Sequence, residues 1–333
     1  MMKKLTLIGL MLLLTLIMQA CQRAPESSPG PADQLEAVTL MLDWVPNTNH
    51  TGIFVAEARG FFREAGLQVD IIEPGEVYAE QAVSSGAVEF GVSFQEQVTL
   101  ARASGIPLVS VAAIIQHNTS AFAARGELQV NSPADWDGLR YGSFGSPFEE
   151  PTLRVLMTCA GGDFSDLEVV ETGFADPLAL LSEAQTDLAW IFYGWQGVQA
   201  DLQGLDLDLV MMEDWFDCIP DYYTPVFISS EAVLRDRPGT ARAFLEAITR
   251  GYEFAIEDPD TAAEILLEAV PELDSALVSA SQTWISPRYQ ADAPRWGEQR
   301  PGVWEAYSSW MLDNGIITAP IDVSATMTNE FLP

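Results

Sequence analysis

LDWVPNTNHTGIFVAEARGFFREAGLQVDIIEP, residues Leu42–Pro74, decides the fold class. It starts at the end of an apolar strand, Val38–Leu42, and turns through Asp43-Trp44-Val45-Pro46-Asn47-Thr48-Asn49-His50. A helix follows in which Ile53, Phe54, Ala56 and Phe61 recur at roughly helical spacing, and a second strand comes at Leu67–Ile72. Strand, polar loop, helix and strand make a βαβ unit, whose ligands sit beyond the carboxyl end of the first strand. Trp44, Asn47, Asn49 and His50 fall there, setting a flat apolar face beside hydrogen-bonding groups. Such a set suits a small planar polar molecule and shows no reaction chemistry.

Outward from this unit the alternation continues. Helices are expected at Glu76–Ser85, Val98–Ser104 and Pro177–Ala184. Strands are expected at Phe90–Phe94, Leu108–Gln116, Leu139–Gly142, Leu167–Glu171, Leu188–Phe192 and Leu207–Met212. This rhythm signals an α/β protein. Polar and aromatic clusters collect at successive strand ends. Gln116-His117-Asn118-Thr119-Ser120 is one, although His117, like His50, serves equally well as a partner for a backbone carbonyl. Gly142-Ser143-Phe144-Gly145-Ser146 precedes a helix starting near Pro147, where backbone N–H groups can hold an anion or a carbonyl oxygen. Trp190-Ile191-Phe192-Tyr193-Gly194-Trp195 places Trp190 and Phe192 on one strand face, read as core. Tyr193 and Trp195 lie past the apolar run and are read as ligand-facing. Asp221-Tyr222-Tyr223-Thr224-Pro225 leads into the apolar run Val226–Ser229, and from Glu231 the pattern is helical. Trp284, Tyr289, Trp296, Trp304, Tyr307 and Trp310 read as core or groove packing.

The expected architecture is two α/β lobes with crossings near Phe122–Gly126 and Pro225–Ile228. Residues 37–124 and 227–333 would form one lobe and 125–226 the other, with a ligand cleft between them. The candidate ligand residues are Trp44, Asn47, Asn49, Tyr78, Gln95, Asn118, Ser143, Gly145, Ser146, Tyr193, Trp195, Asp221 and Tyr222.

At the amino end, Lys3 and Lys4 precede the apolar run Leu5–Met18, which is built like a signal peptide over residues 1–20. Met18-Gln19-Ala20-Cys21 resembles a bacterial lipobox, in which Cys21 takes the lipid; an ordinary secretory signal is the alternative. Residues 21–36 then read as a flexible tether. The expected location is the outer face of the cell membrane, held by the lipid anchor alone. A formal net charge of −32 over 333 residues excludes nucleic acid, whose binding needs basic side chains to displace counterions. No lysine follows Lys4, which excludes Schiff-base chemistry, and no cofactor is expected. Two histidines and three cysteines, without C-x-x-C or H-x-x-x-H, give a metal no ligand set. Cys159 and Cys218 read either as a disulfide or as two buried thiols.

DWVPNTNHTG, followed by A-x-x-x-G-F-F-x-E-A-G-L-x-V, resembles the substrate-binding proteins of bacterial ABC importers for thiamine pyrimidine precursors and riboflavin. These share a superfamily with the pyrimidine-phosphate synthases of thiamine biosynthesis. The resemblance continues through FGVSFQEQVTLARASGIPLVSVAAIIQHNTSAFAA (Phe90–Ala124), GSFGSPFE (Gly142–Glu149) and DYYTPVFIS (Asp221–Ser229). It implies a two-lobed periplasmic-binding-protein type II fold and a non-enzymatic receptor serving an ABC permease and its ATPase. The implied ligand is a small heteroaromatic vitamin or precursor. Family members that bind a formyl-aminopyrimidine carry an acidic residue where this chain has Thr224, which leans the expectation to riboflavin, with an aminopyrimidine next. The synthases use a lysine-held pyridoxal phosphate and a cysteine-rich motif, and this chain has neither.

Overall fold

The computed structural model describes residues 35–173 and 175–333. The expected signal peptide, Cys21 and all but the end of the tether lie outside the described residues. Ten strands form two mixed five-stranded sheets. The first sheet holds β1 (Glu36–Met41), β2 (Leu67–Ile72), β3 (Phe90–Ser93), β4 (Leu108–Ala113) and β10 (Val226–Ser230), in the order β2-β1-β3-β10-β4. The second holds β5 (Ser120–Arg125), β6 (Arg140–Ser143), β7 (Glu168–Glu171), β8 (Leu188–Phe192) and β9 (Leu207–Met211), in the order β7-β6-β8-β5-β9.

The chain passes from the first sheet to the second between β4 and β5, and back between β9 and β10. The sequence reading puts the first crossing at Phe122–Gly126. Phe122 is instead the middle of β5, and the crossing is residues 114–119. An apolar-small run, Ala121-Phe122-Ala123-Ala124, carries no turn signal, and its burial on both faces identifies it as an interior strand. The return spans residues 212–225, just ahead of the expected Pro225–Ile228. Each arriving strand enters its sheet against the local direction. β5 is antiparallel to β8 and β9, and β10 to β3 and β4. The remaining pairs are parallel, as βαβ connections require.

The expected helix after the first polar turn is broken in two. A 3-10 turn, Thr48–His50, leads into helix Thr51–Ala58, and Gly60 at φ 75° separates it from Phe61–Glu64. Helix Thr51–Ala58 lies against the 20-residue helix Pro238–Glu257, at a point where both present glycine. A Cβ on Gly251 would stand 2.0 Å from the Gly52 carbonyl oxygen. Around this contact Phe90 stacks on Phe244 (3.9 Å) and Tyr252 on Trp296 (4.4 Å), closing the core of the first sheet. The second core gathers Phe122, Trp136, Tyr141 and Trp190. Helix Pro301–Asp313, which the sequence reading groups with the first lobe, sends Tyr307, Trp310 and Met311 into this second core.

Cys159, on helix Glu149–Ala160, is bonded to Cys218 on the return crossing, with Cα atoms 6.3 Å apart; of the two readings open in the sequence, the disulfide is the one present. The two crossings are tied side by side. Asp221 Oδ1 accepts from the backbone N–H groups of Asn118 (3.0 Å) and Tyr222 (2.9 Å). Its Oδ2 receives His117 Nδ1 at 2.6 Å, and His117 Nε2 reaches Asp292 Oδ1 at 2.9 Å. With a carboxylate at each nitrogen, His117 is held as the imidazolium, and its pKa is raised by Asp221 first and Asp292 second.

Two outcomes are expected. Replacing both Cys159 and Cys218 by Ser opens a loop of 59 residues, which the chain-entropy argument values at about 4 kcal/mol. Urea unfolding should therefore show a lower midpoint, with the double-Ser variant and reduced wild-type protein alike. A His117→Gln variant should lose most stability below about pH 6.5, where the free and folded histidine are both charged. Because the folded pKa is raised, the deficit should shrink as pH rises through it. Unfolding midpoints across pH 5 to 9 check this; a pH-independent difference would remove the charged clasp.

Candidate functional site

A cavity of about 430 Å³ lies between the carboxyl ends of the strands of the two sheets, bordered by residues of both. Its aromatic walls are Trp44, Tyr78 and Phe94 from the first-sheet side, and Phe144, Phe148, Trp190, Phe192 and Trp195 from the second. Phe94 and Phe192 face each other across it at 6.4 Å. Three carboxyl groups also border the space: Asp43, Glu80 and Glu96. Among the described residues, no Lys, Arg or His borders it.

The polar turn after β1 is built before any ligand arrives. The Asn47 backbone N–H donates to His50 Nδ1 (3.2 Å), so that nitrogen is unprotonated and Nε2 carries the hydrogen that reaches Asp43 Oδ1 at 2.7 Å. Asn47 spends its amide on capping, Oδ1 accepting from Asn49 N (2.9 Å) and Nδ2 donating to the Val45 carbonyl (3.0 Å). From behind, Tyr252 donates to the Asn49 carbonyl (2.6 Å) and Tyr289 to that of Thr48. Trp44, 36% exposed, is thereby held at the cavity mouth.

Of the candidate residues, Trp44, Asn49, Tyr78, Gly145, Ser146 and Trp195 come together at the cavity. The others are drawn into the frame. Asn47 caps the first turn, as described. Gln95, fully buried, accepts from Tyr223 N (2.8 Å) and anchors the return crossing. Asn118 Oδ1 takes the N–H (2.7 Å) and hydroxyl (2.6 Å) of Ser120. Asp221 ties the two crossings together, and Tyr222 is buried with its ring 4.1 Å from Tyr307. Tyr193 donates to Asp201 (2.8 Å) and leans on Trp284 (5.1 Å). A π-helical turn, Tyr193–Gly197, rotates the chain so that Trp195 and Gln196 border the cavity and Tyr193 does not.

The Ser143–Ser146 turn is also different from the expectation of free backbone donors. Ser146 N (2.6 Å) and Phe144 N (3.1 Å) both donate to the Glu149 carboxylate, which also receives the hydroxyls of Tyr141 (2.7 Å) and Ser143 (3.2 Å). Gly145 N donates to Ser143 Oγ (3.0 Å). The loop borders the cavity with the Phe144, Gly145 and Ser146 N–H groups already satisfied.

Sequence reasoning misplaced Trp190 and Phe192 as core alone; their shared strand face, correctly paired, meets both core and cavity. It passed over Asp43, Glu80 and Glu96. The latter two stand one or two residues from Tyr78 and Gln95, in the first turns of helices Ala79–Ser85 and Gln95–Ala103. The second helix starts three residues before its expected position, which brings Glu96 to the end of β3. Burial raises the pKa of Glu80, whose carboxyl accepts from Ser93 Oγ. Burial pushes the Glu96 carboxyl up to about 8. Thr224 is buried and does not border the cavity; Pro225 does. The missing acid at Thr224 is therefore no measure of the ligand, since the cavity has acids of its own.

Residues 47–262 match the family described as NMT1/THI5 like. A formylaminopyrimidine-binding protein of Halalkalibacterium halodurans is 30% identical over 96% of this chain and 97% of its own. The riboflavin-binding protein RibY of Chloroflexus aurantiacus is 26% identical over 100% and 99%. Relatives also include 4-amino-5-hydroxymethyl-2-methylpyrimidine phosphate synthases. In three dimensions the chain resembles the alkanesulfonate-binding protein SsuA of Xanthomonas axonopodis pv. citri, with TM-score 0.68 and 14% identity over 89% of this chain and 99% of that one. The fold is that of periplasmic binding proteins, and the chain belongs to the NMT1/THI5-like family.

Proposed function

We propose that the protein is the extracytoplasmic receptor of an ABC importer and that it captures an aminopyrimidine of the formylaminopyrimidine class. One observation carries this reading: the cavity has aromatic walls on both sides and carboxyl groups at its edge, with no basic residue bordering it. A flat ring slides between the walls. The carboxyl groups accept hydrogen bonds from ring-borne amines, whereas an anion meets like charge and no donor cluster. The 30% identity to a formylaminopyrimidine-binding protein over nearly the whole chain supports the same choice. Riboflavin, favoured by the sequence reading and by the likeness to RibY, is the second candidate. Its broad ring suits the aromatic walls and its ribityl hydroxyls can donate to carboxyl groups, but its two ring carbonyl oxygens find no basic donor at the cavity edge.

The reading takes a binding role over a synthase activity because both lysines precede residue 5 and none of the described residues bordering the cavity carries an amine that could hold pyridoxal phosphate. The Met18–Cys21 lipobox supplies the membrane tether in this reading, and among the described residues no helix is long and apolar enough to cross a membrane. Closure of the two sheets' lobes about the crossings at 114–119 and 212–225 would enclose the ligand.

Tryptophan fluorescence of the mature protein should change on titration with formylaminopyrimidine, with Kd about micromolar or tighter. Riboflavin should bind at least about tenfold more weakly, a difference of about 1.4 kcal/mol. Tighter riboflavin binding would reverse the ligand assignment. Trp44→Ala should weaken the bound ligand about three- to tenfold, the worth of one stacking contact, without lowering the unfolding midpoint.

A further inference from the structure

Helix Ser275–Gln290 belongs to the first core, into which it sends Ile285 and Tyr289. It also grips the polar turn after β1. Thr51 Oγ1 donates to Gln282 Oε1 (2.6 Å), Tyr289 donates to the Thr48 carbonyl, and the Thr48 and Ser281 hydroxyl oxygens are 2.5 Å apart. Ser281 then reaches the second sheet's side: its hydroxyl donates to the Gly194 carbonyl, in the π-helical turn that follows β8. A serine hydroxyl has one hydrogen, so it is the Thr48 hydroxyl that donates to Ser281 Oγ. Thr48 and Ser281 are both fully buried. Packing presses the same turn onto the same helix. A Cβ on Gly194 would stand 2.9 Å from the Trp284 ring, so the backbone there lies flush against the helix. Trp195, which borders the cavity, packs against Ala263, Leu266, Val270 and Val278 of the C-terminal helical segment. Two aromatic residues of the cavity, Trp44 and Trp195, thus ride on turns from different sheets that meet at one serine.

We propose that Ser281 is a positioning residue for the ligand: by joining Thr48 to Gly194 it fixes the Trp44 turn against the Trp195 turn, so that this part of the cavity is set before binding. The crossings at 114–119 and 212–225 connect the sheets through the backbone. Ser281 adds a tie through side chains next to the cavity itself. A ligand that meets two turns already spaced spends less of its binding free energy on ordering them. Loss of the Ser281 hydroxyl leaves the Gly194 carbonyl and the Thr48 hydroxyl without this partner and lets the turns shift relative to each other. The effect on affinity rests on the aminopyrimidine reading; the tie between the turns does not.

The test compares mature wild type with Ser281→Ala, Thr48→Val, Thr48→Ser and Ser286→Ala. Ser286 is the control: buried on the same helix, it donates to the Ala255 carbonyl and stays within the first core. Each protein is titrated with 4-amino-5-hydroxymethyl-2-methylpyrimidine, and its unfolding midpoint and amide hydrogen exchange are recorded without ligand. Ser281→Ala and Thr48→Val should each weaken binding about three- to tenfold. The double variant should lose no more than Ser281→Ala alone, because one relay is broken in both. Thr48→Ser, which keeps the hydroxyl, should bind as wild type does. Ser286→Ala should lower the midpoint about as much as Ser281→Ala does and leave Kd unchanged. Exchange in the Tyr193–Gly197 turn should rise in Ser281→Ala and not in Ser286→Ala. Equal Kd in wild type and Ser281→Ala, or the same loss in Ser286→Ala, would overturn the positioning role. If folded wild type does not bind the pyrimidine, the proposed function fails; unchanged exchange in the turn would then overturn the tie as well, and raised exchange would uphold it.

Discussion

The Asp221 carboxylate is the point on which the two-sheet arrangement turns. Two chain segments travelling in opposite senses between the sheets must lie together, and each exposes backbone donors that no ladder can satisfy. Asp221, on the return crossing, accepts the Asn118 N–H of the outgoing one and binds His117 beside it. Backbone groups at the junction are thus paired without water, as a buried crossing demands. His117 extends the tie to Asp292, so the C-terminal segment is fastened to the same place. The antiparallel entry of β5 and β10 follows from these crossings, and it sets strand ends from both sheets around one space.

That space has a consistent chemical character. Rings supply its walls, and the groups that could have made it an anion site are committed elsewhere. The Phe144 and Ser146 N–H groups close on Glu149, and Arg125 and Arg140 are paired with Asp187 on the far side of the second sheet. Here the charge at the cavity is acidic throughout, in keeping with a chain of net charge −32. Acids in such a place are shielded from water, and burial raises the pKa of Glu80 and Glu96.

Local pattern carried much of the fold into view. The strands Leu67–Ile72 and Leu188–Phe192 stand where the sequence places them, the first through alternation of apolar Leu67, Val69 and Ile71 with polar Gln68 and Asp70, the second through a continuous apolar run. β5 was hidden because Ala-rich runs have little intrinsic strand preference; its identity comes from the ladders on either side. In the site, Trp44, Asn49, Tyr78, Gly145, Ser146 and Trp195 were legible as polar or aromatic residues at strand ends. Asn47, Gln95, Asn118 and Asp221 have the same chemistry at the same kind of position. What separates them is the partner each finds, and those partners lie up to 128 residues away.

By itself the sequence determined the alternating α/β plan, the absence of a lysine for cofactor chemistry and the family resemblance, since each depends on residue type and short-range order. The tertiary structure decided which polar groups are free. A side chain's hydrogen-bonding capacity is spent on whichever donor or acceptor folding brings within about 3 Å, and that assignment is invisible along the chain. Hence Asp221 and Tyr222 became part of the joined crossings, Tyr193 turned away on a π-helical turn, and Glu96, an unremarked acid in the sequence, came to border the cavity.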